Sequence, residues 1–273
     1  MGLLPDEIEA YYRLGEEAGR LSNEWGELER LRTESILARH LPPAPALVLD
    51  VGGAAGAYAF PLAKQAYEVH LIDPVPLHLE QARSHAAASG VGLASIREGD
   101  ARHIDFPQSV ADAVLMLGPL YHLGENSDRS LALREARRVL RAGGVLFAAS
   151  ISRFASLIDG LSRGFFRDEE FRKIVANDLM HGLHRNPTNN PEYFTTAYFH
   201  RPAELASEIR EAGFVDIRLL AIEGPVWSTP FFRSAWDDLR QRANLLEFLA
   251  ITEGEPSILG ASAHVMAVAF QPR

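Results

Sequence analysis

The chain has 273 residues, 47% hydrophobic and 23% charged, which suits one α/β domain with insertions and excludes the compositions of disordered and fibrous chains. Its 27 Lys and Arg against 36 Asp and Glu leave a formal net charge of -9 and no global basic field, so nucleic acid is a poor candidate partner. The absence of cysteine excludes disulfides, thiolate catalysis and cysteine-ligated metal sites.

The chain opens on "MGLLPDEIEAYYRLGEEAGR", which has acids where a secretory signal needs a basic start, and no apolar run approaches the roughly 20 residues of a membrane helix. The expectation is a cytoplasmic protein without a membrane span. Residues 6–40 read as helical, with Tyr11, Tyr12, Leu14, Leu21, Leu28 and Leu31 among polar neighbours, and the prolines of "LPPAP" stop the helix. "ALVLDV" follows as a strand covered on both faces.

After the glycine turn, "AYAFPLAKQA" reads as a helix, "EVHLID" as strand 2, and "PVPLHLEQARSHAAASG" as a helix closed by Gly90. "ASIREGD" and "ADAVLMLG" are strands 3 and 4. "SDRSLALREARRVLRAGG" is a helix with Ser127 or Asp128 as N-cap, an apolar stripe through Ala132, Ala136, Val139 and Leu140, and paired glycines at its end; "VLFAAS" is strand 5.

Between Ile151 and His200 the pattern turns to aromatics, histidines and asparagines with no clear strand, which reads as an inserted helical cap. A helix ("PAELASEIREAG"), a strand ("FVDIRLLAI"), a helix over 232–251 and a last strand ("AHVMAVAF") complete the pattern. The fold class expected is α/β, a doubly wound, mostly parallel seven-stranded sheet with N-terminal helices and a helical cap inserted after strand 5. Its parts are residues 1–45 as a lid, 46–150 as the ligand-binding core, 151–200 as the cap and 201–273 as the rest of the sheet.

In such sheets ligands lie beyond the carboxyl ends of the strands. Three acids stand there in successive units: Asp50, Asp73 and Asp100. The dinucleotide pattern wants glycine at 52, 54 and 57, but the chain has Gly52, Ala54 and Ala57, with Gly53 and Gly56 beside them. S-adenosylmethionine (SAM) suits this loop better than a pyrophosphate: it has no phosphates, and an acid is tolerated beside its cationic methionyl portion. Asp73 is then placed to accept from the ribose hydroxyls, and Asp100, with Ala101, to meet the adenine rim.

These stretches, "LDVGGAAGAYAFPLA", "VHLIDPVP", "EGDARHIDF", "ADAVLMLGPLYHL" and "LREARRVLRAGGVLFAAS", resemble the motifs of class I SAM-dependent methyltransferases from Leu47 to Ser150. One departure is Ala54, where the family's D/E-x-G-x-G-x-G loop has its middle glycine. The resemblance implies SAM as cofactor, held by Asp50, Gly52, Gly53, Gly56, Asp73, Pro74, Asp100, Ala101, Leu117 and Gly118. It also places the transfer site after strand 4, where Tyr121 packs against the cofactor and His122 is the candidate general base.

Arg32 offers a guanidinium fork for the methionyl carboxylate. Tyr11, Tyr12, Trp25, Tyr198 and His200 are the candidate acceptor walls, and Tyr193, Phe194 and Phe199 stand beside them in the cap. Asp178, His181 and His184 have spacings that a metal site uses, but a solvated helix face explains them without a further ligand, and no metal is expected. The function expected is methyl transfer to a small-molecule acceptor. Rival readings are a protein or RNA acceptor, a SAM-binding or nucleoside-binding protein without turnover, and a nicotinamide-dependent oxidoreductase, which the missing glycines disfavour. The sequence leaves the oligomeric state open.

Overall fold

The structure, a computed structural model, describes residues 6–13, 19, 21, 23–188 and 190–273. Helix α1 is Asp6–Tyr12 and α2 is Glu24–His40, the latter starting afresh where the Asn23 side chain accepts from the Gly26 amide at 2.9 Å. Leu14 lies outside the described residues. The prolines after residue 41 end α2 as expected, and β1 (Leu47–Val51), α3 (Ala59–Lys64) and β2 (Glu68–Asp73) follow.

Helix α4 (Pro76–Ser89) begins at the second proline of "PVP", not the first, and closes on Gly90 at φ +69°. Strands β3 (Ser95–Glu98) and β4 (Ala111–Met116) precede the single turn α5 (Pro119–His122) and the helix α6 (Asn126–Val139). Neither Ser127 nor Asp128 caps α6; the cap position is Glu125, without a side-chain bond. The paired glycines expected at the end of α6 instead lie inside β5 (Leu140–Ile151), which starts five residues early. Gly143 has φ +75°, and the β4–β5 register shifts between Ala111 and Ala113, so the glycines absorb a bulge.

The insert holds α7 (Ala155–Arg163) and α8 (Glu169–His181) as expected, together with a two-stranded ladder, β6 (Leu183–His184) and β7 (Ala197–Tyr198), that no alternation announced. Helix α9 (Pro202–Glu211) and β8 (Val215–Ala221) come next. The helix expected over 232–251 is two, α10 (Phe232–Asp237) and α11 (Leu239–Thr252), because Asp238 accepts from the amides of Arg240 and Gln241 and starts a new helix. A short α12 (Pro256–Leu259) leads to β9 (His264–Phe270).

The main sheet has seven strands in the order β3-β2-β1-β4-β5-β9-β8, with the first five parallel and β9 antiparallel to both its neighbours. The doubly wound expectation holds. The central strands are buried on both faces: one layer packs Leu49, Val114, Leu146 and Ala267 against α6 and α9, the other packs Val48, Leu115, Phe147 and Val268 against α2 and α3. Because strand order reverses between β1 and β4, their carboxyl ends diverge into a crevice. Because β9 runs backwards, its first residue, His264, pairs with Ile151 at the carboxyl end of β5 and so lies on the crevice side.

Candidate functional site

The loop after β1 is shaped by close approach. A Cβ on Gly52 would lie 2.6 Å from Cγ of Pro119, and one on Gly53 would lie 2.3 Å from Leu71 Cδ1 and 2.5 Å from an Asp50 carboxylate oxygen. Gly52 also has φ +69°. Ala54, at the departure from the family pattern, itself adopts φ +49°, a conformation that costs an alanine roughly 1–2 kcal/mol. The strain is offset locally, since the Ala54 amide donates to Asp73 Oδ2 at 2.8 Å.

Asp73 is buried at the end of β2, and its Oδ1 takes the Val75 amide at 2.9 Å and His78 Nδ1 at 3.0 Å. It therefore ties the glycine loop to the start of α4 while lining the crevice. Asp50 is more deeply placed. Burial, then the neighbouring Asp73 charge, push its carboxyl up to about 7, and its Oδ2 has no hydrogen-bond partner among the described residues. A buried carboxyl left in that state is the site's clearest unmet electrostatic demand.

Two cavities meet at this loop. The first, about 660 Å³ of open space, is lined by Gly52, Ala54, Asp73, Pro74, Asp100, Ala101 and Gly118, with Tyr12, His78, Pro119, Tyr121 and His122 around them. The second extends past Asp50, Gly53, Leu117 and Gly118 towards Glu29, Thr33 and His264. Their combined lining fits SAM. Neutral small residues and an acid flank the nucleoside end, and acids including the unsatisfied Asp50 flank the end where a sulfonium and an ammonium need compensation.

A third and larger cavity, about 1530 Å³, lies under the cap between α7, the 191–194 turn and α1, with walls from Tyr11, Tyr12, Phe171, Tyr193, Phe194 and Phe199. Tyr121 lines all three cavities. The segment after strand 4, expected to hold the transfer site, thus contributes a wall to each of the three spaces.

The structure redistributes several expected roles. Among the cofactor candidates, Gly56 lines none of these cavities; its φ of +87° and the Phe60 ring, 2.8 Å from where a Cβ would be, give it the task of folding the loop onto α3. Asp100 does line the first cavity, but Arg102 holds its carboxylate through the amide at 2.7 Å and the guanidinium at 2.5 Å, and Arg102 also reaches Asp128 at 2.9 Å.

Arg32 is committed away from the methionyl carboxylate: it is 1% exposed, pairs with Glu253, and donates to the Ile222 carbonyl at 3.2 Å. Trp25 is no acceptor wall either, since it is 42% exposed and stacks on Phe232 at 4.1 Å. Tyr198 lies with the Arg129 guanidinium 3.8 Å from its ring centre, and His200 is buried against Glu208 at 3.3 Å; neither lines the cavities. Both belong to an Arg129–Glu208–His200 network that fastens α6 and the cap to α9.

His122 reaches the first cavity, yet burial drives its pKa down to about 4, and its Nε2 lies 2.5 Å from the Tyr12 hydroxyl. A base that weak is poorly matched to proton abstraction near neutrality. Asp178 and His184 form a buried pair at 2.8 Å with His184 Nε2 on the Tyr193 carbonyl, while His181 is exposed, so the three do not converge. The sequence missed His78, Glu29 and His264. No spacing marks the first two, and His264 becomes visible only once β9 is known to run antiparallel.

The chain matches a family model described as "Methyltransferase domain" over residues 48–144. It is 30% identical to the ubiquinone biosynthesis O-methyltransferase of Xanthomonas axonopodis pv. citri over 68% of this chain and 69% of that protein. It is 29% identical to a ubiquinone/menaquinone biosynthesis C-methyltransferase of Zymomonas mobilis, over 73% and 79%. Against the O-methyltransferase of Azorhizobium caulinodans, 30% identical over 65% of this chain, it spans less than two thirds of the relative, 62%. A SAM-dependent methyltransferase structure from Methanosarcina mazei superposes with a TM-score of 0.58 at 19% identity, covering 87% of this chain and 97% of that one, a likeness of fold.

Proposed function

The chain belongs to the class I SAM-dependent methyltransferases, and on that premise we propose that it transfers a methyl group to a small molecule seated under the cap. The observation that carries the reading is Tyr121, which lines the two cavities around the glycine loop and the aromatic-walled third alike. When bound, SAM supplies a methyl already activated by its sulfonium, so the chain's residues have mainly to align, hold and exclude water.

Gly52 and Gly53 give the backbone close approach to the cofactor, and Asp73 offers the lone pair left open on Oδ2 to a ribose hydroxyl. Pro74, Ala101, Leu117 and Gly118 enclose the nucleoside, and Asp50 compensates the cationic end. Asp100 reaches the adenine rim only with lone pairs that Arg102 leaves open. Tyr11 and Tyr12 on α1 roof the acceptor space, whereas α2 is part of the packed molecule, with Leu28 against Val226, Phe232, Trp236 and Leu249. The lid role therefore falls to α1, and His122 orients Tyr12 through the bond between them.

The relatives' printed names point to ubiquinone and menaquinone precursors, so a ring-bearing acceptor is the class to test first. Calorimetric titration with S-adenosylhomocysteine, with NADH as control, should show binding of the first alone, weakened at least tenfold in Asp73→Ala, since about 1.4 kcal/mol is tenfold. Binding of NADH alone, or of neither ligand, would remove the reading.

A further inference from the structure

We propose that the acceptor carries a cationic amine and that Asp159 on α7 is the residue that anchors it under the cap. The inference rests on the methyltransferase reading and adds to it the charge of the acceptor and the group that recognises it. Asp159 lines the large cavity and is exposed there. Its carboxylate makes no hydrogen bond and no ion pair with the described residues.

The basic side chains of the same wall are already matched. Arg163, one turn further along α7, pairs with Glu192 at 2.6 Å and lies over the Phe165 ring, 4.4 Å from its centre. His184 has Asp178 on one ring nitrogen and the Tyr193 carbonyl on the other, both at 2.8 Å, and His264 Nδ1 lies 2.5 Å from Glu223 Oε1. Asp159 is the acid of this wall that lacks such a counterpart among the described residues. Although exposed to the cavity, it is enclosed closely enough that burial raises its carboxyl above the ordinary value, with Glu223 adding to the rise and the more distant Arg163, His264 and His184 opposing it. A cation docked on that carboxylate restores the charge that burial disfavours.

Ser156 supplies the second observation. It lies one turn earlier on the same face of α7 and lines the same cavity, yet it is 5% exposed and its hydroxyl has no hydrogen-bond partner among the described residues. An ammonium has several N–H donors, so it can give one to Asp159 and one to Ser156 Oγ. Aromatic rings stand beside them: Phe171 and Tyr193 line the cavity and pack in one cluster with Leu157 of α7. Ring faces attract a cation, most strongly where water is thinned out.

The SAM ligand has an ammonium of its own, but Asp159 borders only the cap cavity and neither of the two spaces around the glycine loop. What it recognises is therefore the acceptor. A neutral acceptor leaves Asp159 and Ser156 without partners, and an acidic one is repelled.

The test loads the full-length protein with S-adenosylhomocysteine at pH 7 and titrates three probes that share a phenol ring and differ in the side arm: tyramine, 4-ethylphenol and 3-(4-hydroxyphenyl)propanoate. Calorimetry should find tyramine bound roughly 10–100-fold more tightly than 4-ethylphenol, the range of a hydrogen bond to a charged group, with the propanoate the weakest. Asp159→Asn should bring tyramine down to the level of 4-ethylphenol while leaving 4-ethylphenol and S-adenosylhomocysteine where they were. Ser156→Ala should weaken tyramine by about 2–10-fold and 4-ethylphenol not at all. Unchanged S-adenosylhomocysteine affinity in both variants guards against a loss due to misfolding.

Equal binding of tyramine and 4-ethylphenol, tightest binding of the propanoate, or a tyramine preference that survives Asp159→Asn would overturn the anchor while leaving the methyltransferase reading standing. So would failure of tyramine to bind the loaded protein. Absence of S-adenosylhomocysteine binding in the unmodified protein is the separate failure of the parent reading.

Discussion

Asp50 shows how a binding site is held at the expense of the free protein. Its carboxyl titrates near 7 in the fold because burial and Asp73 disfavour the charge, whereas the unfolded chain ionises near 3.8. The native state therefore holds a proton that the unfolded state has released, and stability falls as pH rises through that window. Above pH 7 the penalty is fully present. Asp50→Asn removes it, and urea denaturation at pH 8 should find the unliganded variant more stable by on the order of 2–3 kcal/mol, with little difference below pH 4. Calorimetry on the same variant should find weaker SAM binding, because the compensating charge is gone. An Asn variant no more stable at pH 8 would mean that Asp50 is already solvated in the free protein.

Among the elements, α2 carries the sharpest divergence between what the sequence suggests and what the fold does. A guanidinium beside a presumed lid reads naturally as a carboxylate ligand, yet Arg32 packs into the junction of α2 with the loop after β8, where it shares Glu253 with Arg39. Removing one partner of a buried pair leaves the other charge uncompensated. Arg32→Met should cost about 3 kcal/mol in a thermal or urea melt, the lower end for such pairs because Arg39 still serves Glu253. S-adenosylhomocysteine affinity should stay unchanged; a tenfold loss of affinity in a folded variant would restore Arg32 to the site.

Those elements also show why some features were legible and others not. Strand β2 and the strand-end acids follow from local chemistry, apolar runs and glycine turns, and the structure reproduces Glu68–Asp73 to the residue. Partners more than a hundred residues apart leave no local trace. Nothing around Arg32 announces Glu253, which the fold brings to it from the far end of the chain; at shorter range too, nothing marks Arg129 as the cation over Tyr198, and His200 reads as cavity wall until α9 turns Glu208 towards it. The paired glycines fit a helix stop and a strand bulge equally well; the register of β4 against β5 decides between them.

On the scale of the whole molecule, ligand and fold are linked by mass action. The cofactor cavities draw walls from the loops after β1, β2 and β4 and from α1, so S-adenosylhomocysteine at a hundredfold excess over Kd should stabilise the protein by about 2.7 kcal/mol, raising Tm by several degrees. Differential scanning calorimetry with and without the ligand measures this, and no shift would mean that the walls are not held together by it.

The reversed β9 bears on how the protein comes into being. A ribosome delivers the glycine loop and its acids some two hundred residues before it delivers His264, so the nucleoside-side walls emerge well ahead of the strand that completes the sheet. Until β9 slots between β5 and β8, both present unpaired edges of the kind that seed aggregation. A nascent chain interrupted before residue 264 would keep both edges open, and the last strand acts as a seal that closes the two of them in a single event.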